Sequence, residues 1–234
     1  MSQSSQFERD GFLIVPKLLP VAECDALAAE LGALLDAQQR TAPKARGGLR
    51  NVFHVSARAR AVATSDPFIS FVSALIGAQA FPVRAILFDK TDGANWGVPW
   101  HQDLAIAVAE RIETAGFGPW SVKEGIVHVQ PPPHILAHMV TIRLHLDDCV
   151  ADNGALRVLP GSHGQGELAA AAIADWTARQ PPVMCELPKG GALLMRPLLL
   201  HASSPAKNPS HRRVLHVEYA ATELPNGLKW SERP

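Results

Sequence analysis

From residue 83 onward the chain repeats short apolar runs that glycine, proline and asparagine interrupt, and this rhythm limits the fold more than any other feature. Runs of this length match β-strands better than helices. They lie at 83–88, 139–146, 155–159, 183–187, 190–195 and 213–219. Such a succession predicts an antiparallel sandwich or barrel with helices to one side. Asn153-Gly154, between two of the runs, predicts a hairpin turn.

The first third of the chain has a different pattern. The run Phe12–Val15 predicts a short buried strand. Leucines at helical spacing predict an amphipathic helix over about 21–38, and a capping residue followed by proline predicts a second over 67–76. We expect these N-terminal helices, within about 21–77, to pack outside the sheets.

The long stretch 104–138 does not fit the rhythm of strands. It holds three glycines and the triplet Pro131-Pro132-Pro133. A connection of this length inside a compact domain is usually functional, often a lid, and an ordered excursion without function is the alternative. With no internal repeat, residues 1–234 are expected to form a single domain with a lid-like insertion here.

Composition narrows the class of partner. The 22 Lys+Arg residues balance the 22 Asp+Glu residues, so we expect neither nucleic-acid nor membrane binding. Residues 168–174 form the longest run of small apolar residues, too short to cross a membrane, and the first residues lack a signal-peptide core. The cysteines at 24, 149 and 185 lack CxxC spacing and predict buried thiols. A cytoplasmic protein of unknown oligomeric state is the expectation.

Histidine suggests where to look for chemistry, because the common phosphate-binding and zinc-protease motifs are absent. Alternate residues of a strand share a face, so His-x-Asp or His-x-Glu can present an imidazole and a carboxylate to one ion. Three such pairs occur, at His101/Asp103, His145/Asp147 and His216/Glu218. With 10 histidines and 22 acids, chance predicts about one pair.

Context favours the first pair. His101 and Asp103 follow Trp100 at the start of 104–138, where an open metal site is expected. The second pair lies in a strongly apolar strand, which favours a hydrogen-bonded interior histidine. The third pair is in mid-strand and has no evident third ligand nearby.

A third metal ligand is expected at the end of another strand. Leu198-Leu-Leu-His201 is an apolar run that ends in histidine. Two histidines and one carboxylate leave three positions of an iron open, as in non-haem Fe(II) oxygenases. Arg212 stands eleven residues later, at the start of the last predicted strand, where it could hold a carboxylate bidentately.

Three segments, in this order and spacing, carry a family resemblance. They are Trp100-His101-Gln102-Asp103, the stretch from Asn153-Gly154 to Pro160-Gly161-Ser162-His163, and His201-Ala-Ser203 with Arg212. Together they resemble the phytanoyl-CoA dioxygenase family of Fe(II)/2-oxoglutarate oxygenases. The resemblance runs from the strand at Phe12 to about Tyr219.

The resemblance implies a double-stranded β-helix, a cupin-like jelly roll, that is mainly β with flanking helices. It implies that His101, Asp103 and His201 ligate Fe(II), and that Arg212 with Ser203 holds the distal carboxylate of the co-substrate 2-oxoglutarate. Arg213 is the alternative to Arg212. It also implies a dioxygenase that consumes O2 and releases succinate and CO2.

Asp103 and Arg143 refine this implication. Halogenating relatives lack the carboxylate that Asp103 supplies, so hydroxylation or a related oxidation, such as desaturation, is favoured. Arg143 departs from better-known members, which carry an apolar or aromatic residue there. Thr141 and Arg143 share a face by alternation, and if that face is inward they could touch the co-substrate or an anionic substrate; a solvated face is the alternative.

The substrate is expected to be a small molecule. Residues 37–65 hold six basic residues and no acid, a pattern that fits an anionic substrate or, equally, a solvated surface. Within them, 46–51 is expected to form a flap in which Arg46 and Arg50 present positive charge. Further candidate lining residues are Lys90, Asn95, Trp96 and Gln102, with Trp120, Lys123, His128 and Gln130 in the stretch 104–138.

Two other classes of function remain open at this point. One is a non-catalytic jelly-roll binding protein, and the other is a zinc-dependent hydrolase that uses the same three ligands. The complete set of two histidines, aspartate and arginine argues against the first, and the carboxylate-binding arginine argues against the second.

Overall fold

The computed structural model describes residues 2–41 and 47–234, and within these ranges it contains antiparallel sheets with α-helices around them. The helices are α1 (Gln3–Asp10), α2 (Val21–Thr41), α3 (Val52–Val55), α4 (Ala57–Ala63), α5 (Asp66–Ile76), α6 (Pro133–Ala137) and α7 (Ala170–Arg179). The strands are β1 (Phe12–Val15), β2 (Gly48–Leu49), β3 (Phe81–Lys90), β4 (Val98–His101), β5 (Ile106–Val108), β6 (Trp120–Lys123), β7 (Ile126–Val129), β8 (Met139–His145), β9 (Leu156–Val158), β10 (Val183–Cys185), β11 (Ala192–Met195), β12 (His201–Ser203) and β13 (Arg212–Ala220).

Two sheets form a jelly roll, as predicted. The larger has the strand order β1-β11-β8-β13-β3-β2, and the smaller has the order β10-β9-β12-β4. An apolar cluster joins them, with Phe12 and Leu193 from the larger sheet and Leu156 and Val158 from the smaller. Away from this cluster the sheets enclose polar side chains.

The two faces of the large sheet differ in chemistry because side chains alternate along a strand. On the outer face, Ile142 and Leu144 of β8 and Leu215 and Val217 of β13 are fully buried in one cluster with the N-terminal helices. Burial of each such side chain is worth roughly 1.5–3 kcal/mol. This helical layer contains α2 and α5, which cover both predicted helices. No helix in the described ranges is long and apolar enough to cross a membrane.

The stretch 104–138 does not fit the rhythm of strands in the sequence, and the conclusion that it lies outside that rhythm is wrong in part. It contains β5, β6 and β7, which form a third sheet in the order β5-β7-β6, followed by α6. The sheet packs through Ile106 and Val129 against Val83 of β3. Its strands are only three or four residues long, so glycine and proline masked their pattern in the sequence.

The predicted hairpin at Asn153-Gly154 is also wrong. The turn itself exists, with Gly154 in the left-handed region at φ 81°. However, the strands on either side, β8 and β9, lie in different sheets. A Cβ at Gly154 would lie 2.6 Å from the carbonyl oxygen of Ser204, so the turn serves close packing.

The predicted strand that ends at His201 is shifted. Leu198–Leu200 forms a turn, and β12 begins at His201.

The C-terminal segment is anchored by a buried carboxylate. Glu232 is 3% exposed, and it accepts hydrogen bonds from the backbone N–H groups of Phe53, at 3.0 Å, and Ala85, at 3.4 Å. Burial outweighs these hydrogen bonds and raises the pKa of Glu232 to about 7.

This raised pKa predicts a loss of stability with rising pH. Between the ordinary value of 4.5 and about 7, the folded protein keeps a proton that the unfolded chain has released. The free energy of unfolding should therefore fall across this window, by up to about 3 kcal/mol from this group. In Glu232→Gln, which carries no charge, that contribution should vanish. Urea denaturation at pH 5 and pH 7.5 measures it, and an equal pH dependence in the two proteins would contradict the assignment.

Candidate active site

Three potential metal ligands meet at one edge of the small sheet. β4 pairs with β12 so that His101 lies directly opposite His201. Asp103 follows β4 by two residues, and its N–H donates to the carbonyl of Pro197 at 2.9 Å. One ligand atom from each of the three side chains lies within 4.8 Å of the others. Among the described residues, this is the one group of three or more His, Cys, Asp and Glu side chains with such spacing.

The backbone orients both imidazoles. Nδ1 of His101 lies 2.8 Å from the carbonyl oxygen of Pro99, and Nδ1 of His201 lies 2.9 Å from that of Leu199. Because a carbonyl only accepts, each Nδ1 carries a proton, and Nε2 is the ring nitrogen left to bind a metal. Both Nε2 atoms are 3.7 Å from an oxygen of Asp103, too far for a hydrogen bond.

The charge states of this group also suit a cation. Burial lowers the pKa of His201 to about 4, which keeps its imidazole neutral. Burial acts to raise the pKa of Asp103, but neighbouring His201, His216 and Arg143 lower it below its ordinary value. Two imidazole nitrogens and one carboxylate are the donor set that non-haem Fe(II) uses, and the hydrogen bonds at Nδ1 fix the orientation of both rings.

A cavity of about 230 Å³ opens on one side of these three residues, and we call it the basic cavity. Its wall includes Lys90, Arg143 and Arg212, whereas Asp103 is its single acidic residue. Ser203, Trp96 and Phe88 also contribute to it.

Both arginines of the basic cavity lack a carboxylate partner among the described residues. Arg212 is 3% exposed, its Nε has no hydrogen-bond partner, and its Nη1 meets only the sulfur of Cys149 at 3.9 Å. Arg143 is 8% exposed, and its Nε is likewise buried without a partner. A buried guanidinium without a counter-ion is unfavourable, so an anion in this cavity would stabilise both side chains.

Lys90 and Ser203 lie beside Arg212. Nζ of Lys90 donates to the carbonyl of Ser204 at 2.7 Å and lies 3.4 Å from Oγ of Ser203. Burial, followed by the charge of Arg212, lowers the pKa of Lys90 to about 8. Lys90, predicted to contact the substrate, therefore belongs to the same end of the basic cavity as Arg212.

Arg213, the alternative to Arg212, points to the opposite face of β13. It donates to both carboxylate oxygens of Asp147, at 2.7 and 2.8 Å. Asp147, from the second His-x-Asp pair, is thus the partner of an arginine and lies away from the cavity.

A second cavity, of about 410 Å³, is bordered by two of the three potential ligands, His101 and Asp103, and we call it the outer chamber. His101, Asp103, Phe88 and His216 line both cavities. The wall of the outer chamber is mostly polar and includes Arg50, Arg84, Lys123, His128 and Glu218. Arg50, at its rim, forms an ion pair with Glu124 at 3.1 Å.

His128 gives the outer chamber an unpaired acceptor. It is 1% exposed, and its Nδ1 lies 2.9 Å from the carbonyl of Ile126, so that nitrogen donates. Nε2 is left with a lone pair and has no partner. Burial lowers the pKa of His128, which keeps it neutral.

The pair His216/Glu218 takes part in the cavity wall, which its mid-strand position did not predict. Nη1 of Arg143 donates to Nδ1 of His216 at 3.0 Å, and Nε2 of His216 is 3.5 Å from Oε1 of Glu218. Arg84 donates to the same Oε1 at 3.0 Å. Because side chains alternate along a strand, the sequence alone could have placed His216 and Glu218 on the same face as Arg212. The position of Arg84 depends on the pairing of β3 with β13, which the sequence does not show.

His145 was predicted to be a hydrogen-bonded interior histidine; its interior position, on the inner face, is confirmed, but a hydrogen bond at Nδ1 is not found among the described residues. Burial, with the charges of Arg143 and Arg212, lowers its pKa to about 3.

Several residues predicted to line the site do not reach either cavity. The side-chain amide of Asn95 donates a hydrogen bond to the carbonyl of Ala206 and accepts one from its N–H. Trp120 packs within the third sheet. Thr141 borders a small separate space with Asp103 and Glu218. Gln130 pairs with Glu167 outside the cavities.

Two further residues of that set have other outcomes. Gln102 borders the outer chamber, but its side-chain amide donates hydrogen bonds to the carbonyls of Gly166 and Leu198 and accepts one from the N–H of Leu168. Arg46 of the predicted flap lies outside the described residues.

Comparisons with known proteins agree with this geometry. The family model for phytanoyl-CoA dioxygenase matches residues 7–214. The ectoine dioxygenase of Nocardia farcinica is 26% identical over 170 residues, which are 69% of this chain and 50% of that protein. The chain spans about half the length of the curated relatives it matches, 50% and 45% for two ectoine dioxygenases.

Solved structures share the fold. The non-heme monooxygenase ThoJ in its Ni complex has a TM-score of 0.69 and 20% identity, with 94% of this chain and 77% of that chain covered. The non-heme alpha ketoglutarate dependent carbocyclase SnoK has a TM-score of 0.71 and 14% identity, with 100% and 87% covered.

The contrast between the neighbouring arginines predicts opposite effects on stability. Arg212→Leu removes a buried charge that lacks a counter-ion, so the ligand-free protein should unfold at an equal or higher temperature. Arg213→Leu leaves the half-buried Asp147 unpaired and should cost about 2–3 kcal/mol. Thermal and urea unfolding measure both. Greater destabilisation by Arg212→Leu than by Arg213→Leu would show that Arg212 has a structural partner.

Proposed function

Because the chain belongs to the phytanoyl-CoA dioxygenase family, we propose that it is an Fe(II)- and 2-oxoglutarate-dependent dioxygenase that oxidises a small polar molecule. The observation that carries the proposal is one juxtaposition. Two imidazoles and a carboxylate converge at a cavity that is lined by buried arginines without counter-ions, and His101 and Asp103 also border a second cavity. Hydroxylation is the preferred reaction, with other oxidations of a C–H bond as variants of it.

His101, Asp103 and His201 are the residues that would hold the iron. Three ligands from the protein leave room for the co-substrate and O2 on the same metal. When bound, iron and 2-oxoglutarate together supply O2 activation, release succinate and CO2, and transfer an oxygen atom to the substrate.

The basic cavity is the place for 2-oxoglutarate. Arg212 and Ser203 would bind its distal carboxylate, and Lys90 adds a third donor at that end. Charge-assisted hydrogen bonds of this kind fix orientation as well as charge. The cavity is closed from behind by the buried strands β8 and β13, which limits the entry of water.

The outer chamber is the place for the substrate. Its volume suits a compact molecule, and its polar wall disfavours a long apolar chain such as the acyl group in the family's name. The uncharged His128 offers an acceptor to a hydroxyl or amine of the substrate. Arg50 and Lys123 at the rim favour an anionic group.

The decisive experiment is an anaerobic titration of the metal-free protein with Fe(II) and then 2-oxoglutarate. We expect the visible charge-transfer band of a chelated 2-oxo acid in the wild type. His201→Ala should abolish this band, and Arg212→Ala should show it only at a far higher concentration of 2-oxoglutarate. Asp103→Ala and His101→Ala should abolish substrate-dependent succinate formation. His54→Ala, an exposed histidine on α3, is the control and should behave as wild type. Folded, metal-loaded protein without a band would refute the proposal and favour a zinc hydrolase or a binding protein.

An anionic substrate predicts a selective effect at the chamber rim. Arg50→Ala should raise KM for a substrate that supports succinate formation by about 3- to 10-fold, with kcat nearly unchanged and a smaller effect in high salt. Arg58→Ala removes an exposed arginine that pairs with Glu23 and Glu30 and serves as the control. Equal KM values in wild type and Arg50→Ala would exclude a role for Arg50 in substrate binding.

A further inference from the structure

We propose that Arg143 is a second anion-binding residue, which binds the carboxylate of 2-oxoglutarate that lies next to the keto group. His216 is the positioning residue that holds the Arg143 guanidinium in place. This inference rests on the proposed function and deepens it. Arg212 alone would leave the other buried guanidinium of the basic cavity without a role.

The two arginines start from different positions along the basic cavity, although, besides burial, the charge of Arg212 also acts on Arg143 and lowers its pKa. Arg212 starts β13 beside Lys90, its partner in β3, whereas Arg143 pairs with His216 four residues further along β13. Four residues of a strand span roughly 13 Å. The charge of Arg143 reaches the metal ligands, because it lowers the pKa of both Asp103 and His201. Arg143 therefore lies towards the metal and Arg212 away from it.

A row of side chains across three strands holds Arg143 in place. Nη1 of Arg143 donates a hydrogen bond to Nδ1 of His216 at 3.0 Å, and Nε2 of His216 lies 3.5 Å from Oε1 of Glu218. Arg84 donates to the same carboxylate oxygen at 3.0 Å. The edge of the His216 ring meets Phe88, and the guanidinium of Arg143 lies 5.7 Å from the centre of the same phenyl ring.

These contacts leave part of the guanidinium free. Nε of Arg143 is buried and unpaired, and its Nη2 has no hydrogen-bond partner among the residues that the structure describes. Adjacent Nε–H and Nη2–H groups form the fork that fits a carboxylate. A dicarboxylate in the basic cavity would then meet one guanidinium at each end.

The test compares two 2-oxo acids in the Fe(II)-loaded protein without O2. 2-Oxoglutarate has both carboxylates, whereas pyruvate has only the one next to the keto group. Arg143→Leu should weaken the binding of both acids by about 10- to 100-fold, which is the range expected for one charge-assisted hydrogen-bonded contact. Arg212→Leu should weaken 2-oxoglutarate only. Arg179→Leu, on the exposed face of α7, is the matched control.

The charge-transfer band supplies a second readout, which does not depend on affinity. A cation beside the chelated keto acid lowers the energy of its acceptor orbital, so Arg143→Leu should move the band to shorter wavelength. Arg212→Leu should leave its position unchanged.

The role of His216 has its own test. His216→Leu should reproduce the affinity loss and band shift of Arg143→Leu, while His216→Gln, which keeps one acceptor and one donor, should recover most of both. The double variant Arg143→Leu/His216→Leu should bind no more weakly than Arg143→Leu alone, because the two act as one unit. Thermal unfolding of each variant reports whether it is folded.

The outcomes separate this inference from the function it rests on. If wild type gives no band, the dioxygenase proposal fails. If wild type binds 2-oxoglutarate and Arg212→Leu weakens it, while Arg143→Leu changes neither affinity nor band position, only the present inference is overturned. If Arg143→Leu weakens the binding of 2-oxoglutarate but not of pyruvate, Arg143 contacts the distal carboxylate, and this inference is also overturned. Additive losses in the double variant would refute the role of His216.

Discussion

Positive charge buried inside the jelly roll is the constraint on which the rest of the site depends. Arg143, Arg212 and Lys90 lie on the inner face of the large sheet with one acid, Asp103, in the same cavity wall. Ion pairs elsewhere in the fold, such as Arg213 with Asp147, satisfy their own charges. Because burial of an uncompensated cation is unfavourable, the outer face of the sheet must supply the stability that the inner face lacks. The apolar contact between that outer face and the N-terminal helices does so.

The same division explains how one sheet can serve two purposes. Side chains of β8 and β13 alternate between a dry cluster under the helices and a polar interior. A substitution on the outer face therefore acts mainly through packing, whereas one on the inner face acts mainly through charge. The three potential metal ligands lie on or next to the small sheet and the cations on the large one, so the site forms only where the two sheets face each other.

The asymmetry of the two cavities gives the site a direction. The basic cavity is small, enclosed by strands and rich in donors, while the outer chamber is larger and carries both signs of charge. His101, Asp103 and His216 border both. Residues outside the two sheets of the jelly roll, from the third sheet and from the segment around Arg50, contribute to the wall of the outer chamber.

By itself the sequence determined the strand rhythm, the helical layer, the family and the three residues that converge as potential metal ligands. Each of these follows from local periodicity or from a motif with short spacing, such as His101 with Asp103 on one strand end. Tertiary structure alone decided that Arg212 faces the cavity and Arg213 an aspartate, that Arg143 meets His216, and that Asn95 and Trp120 lie elsewhere. It also decided that 104–138 forms a sheet. The physical reason is that register and sheet packing join residues far apart in the chain: Arg84 reaches Glu218 across 134 positions, and no local pattern encodes such a contact.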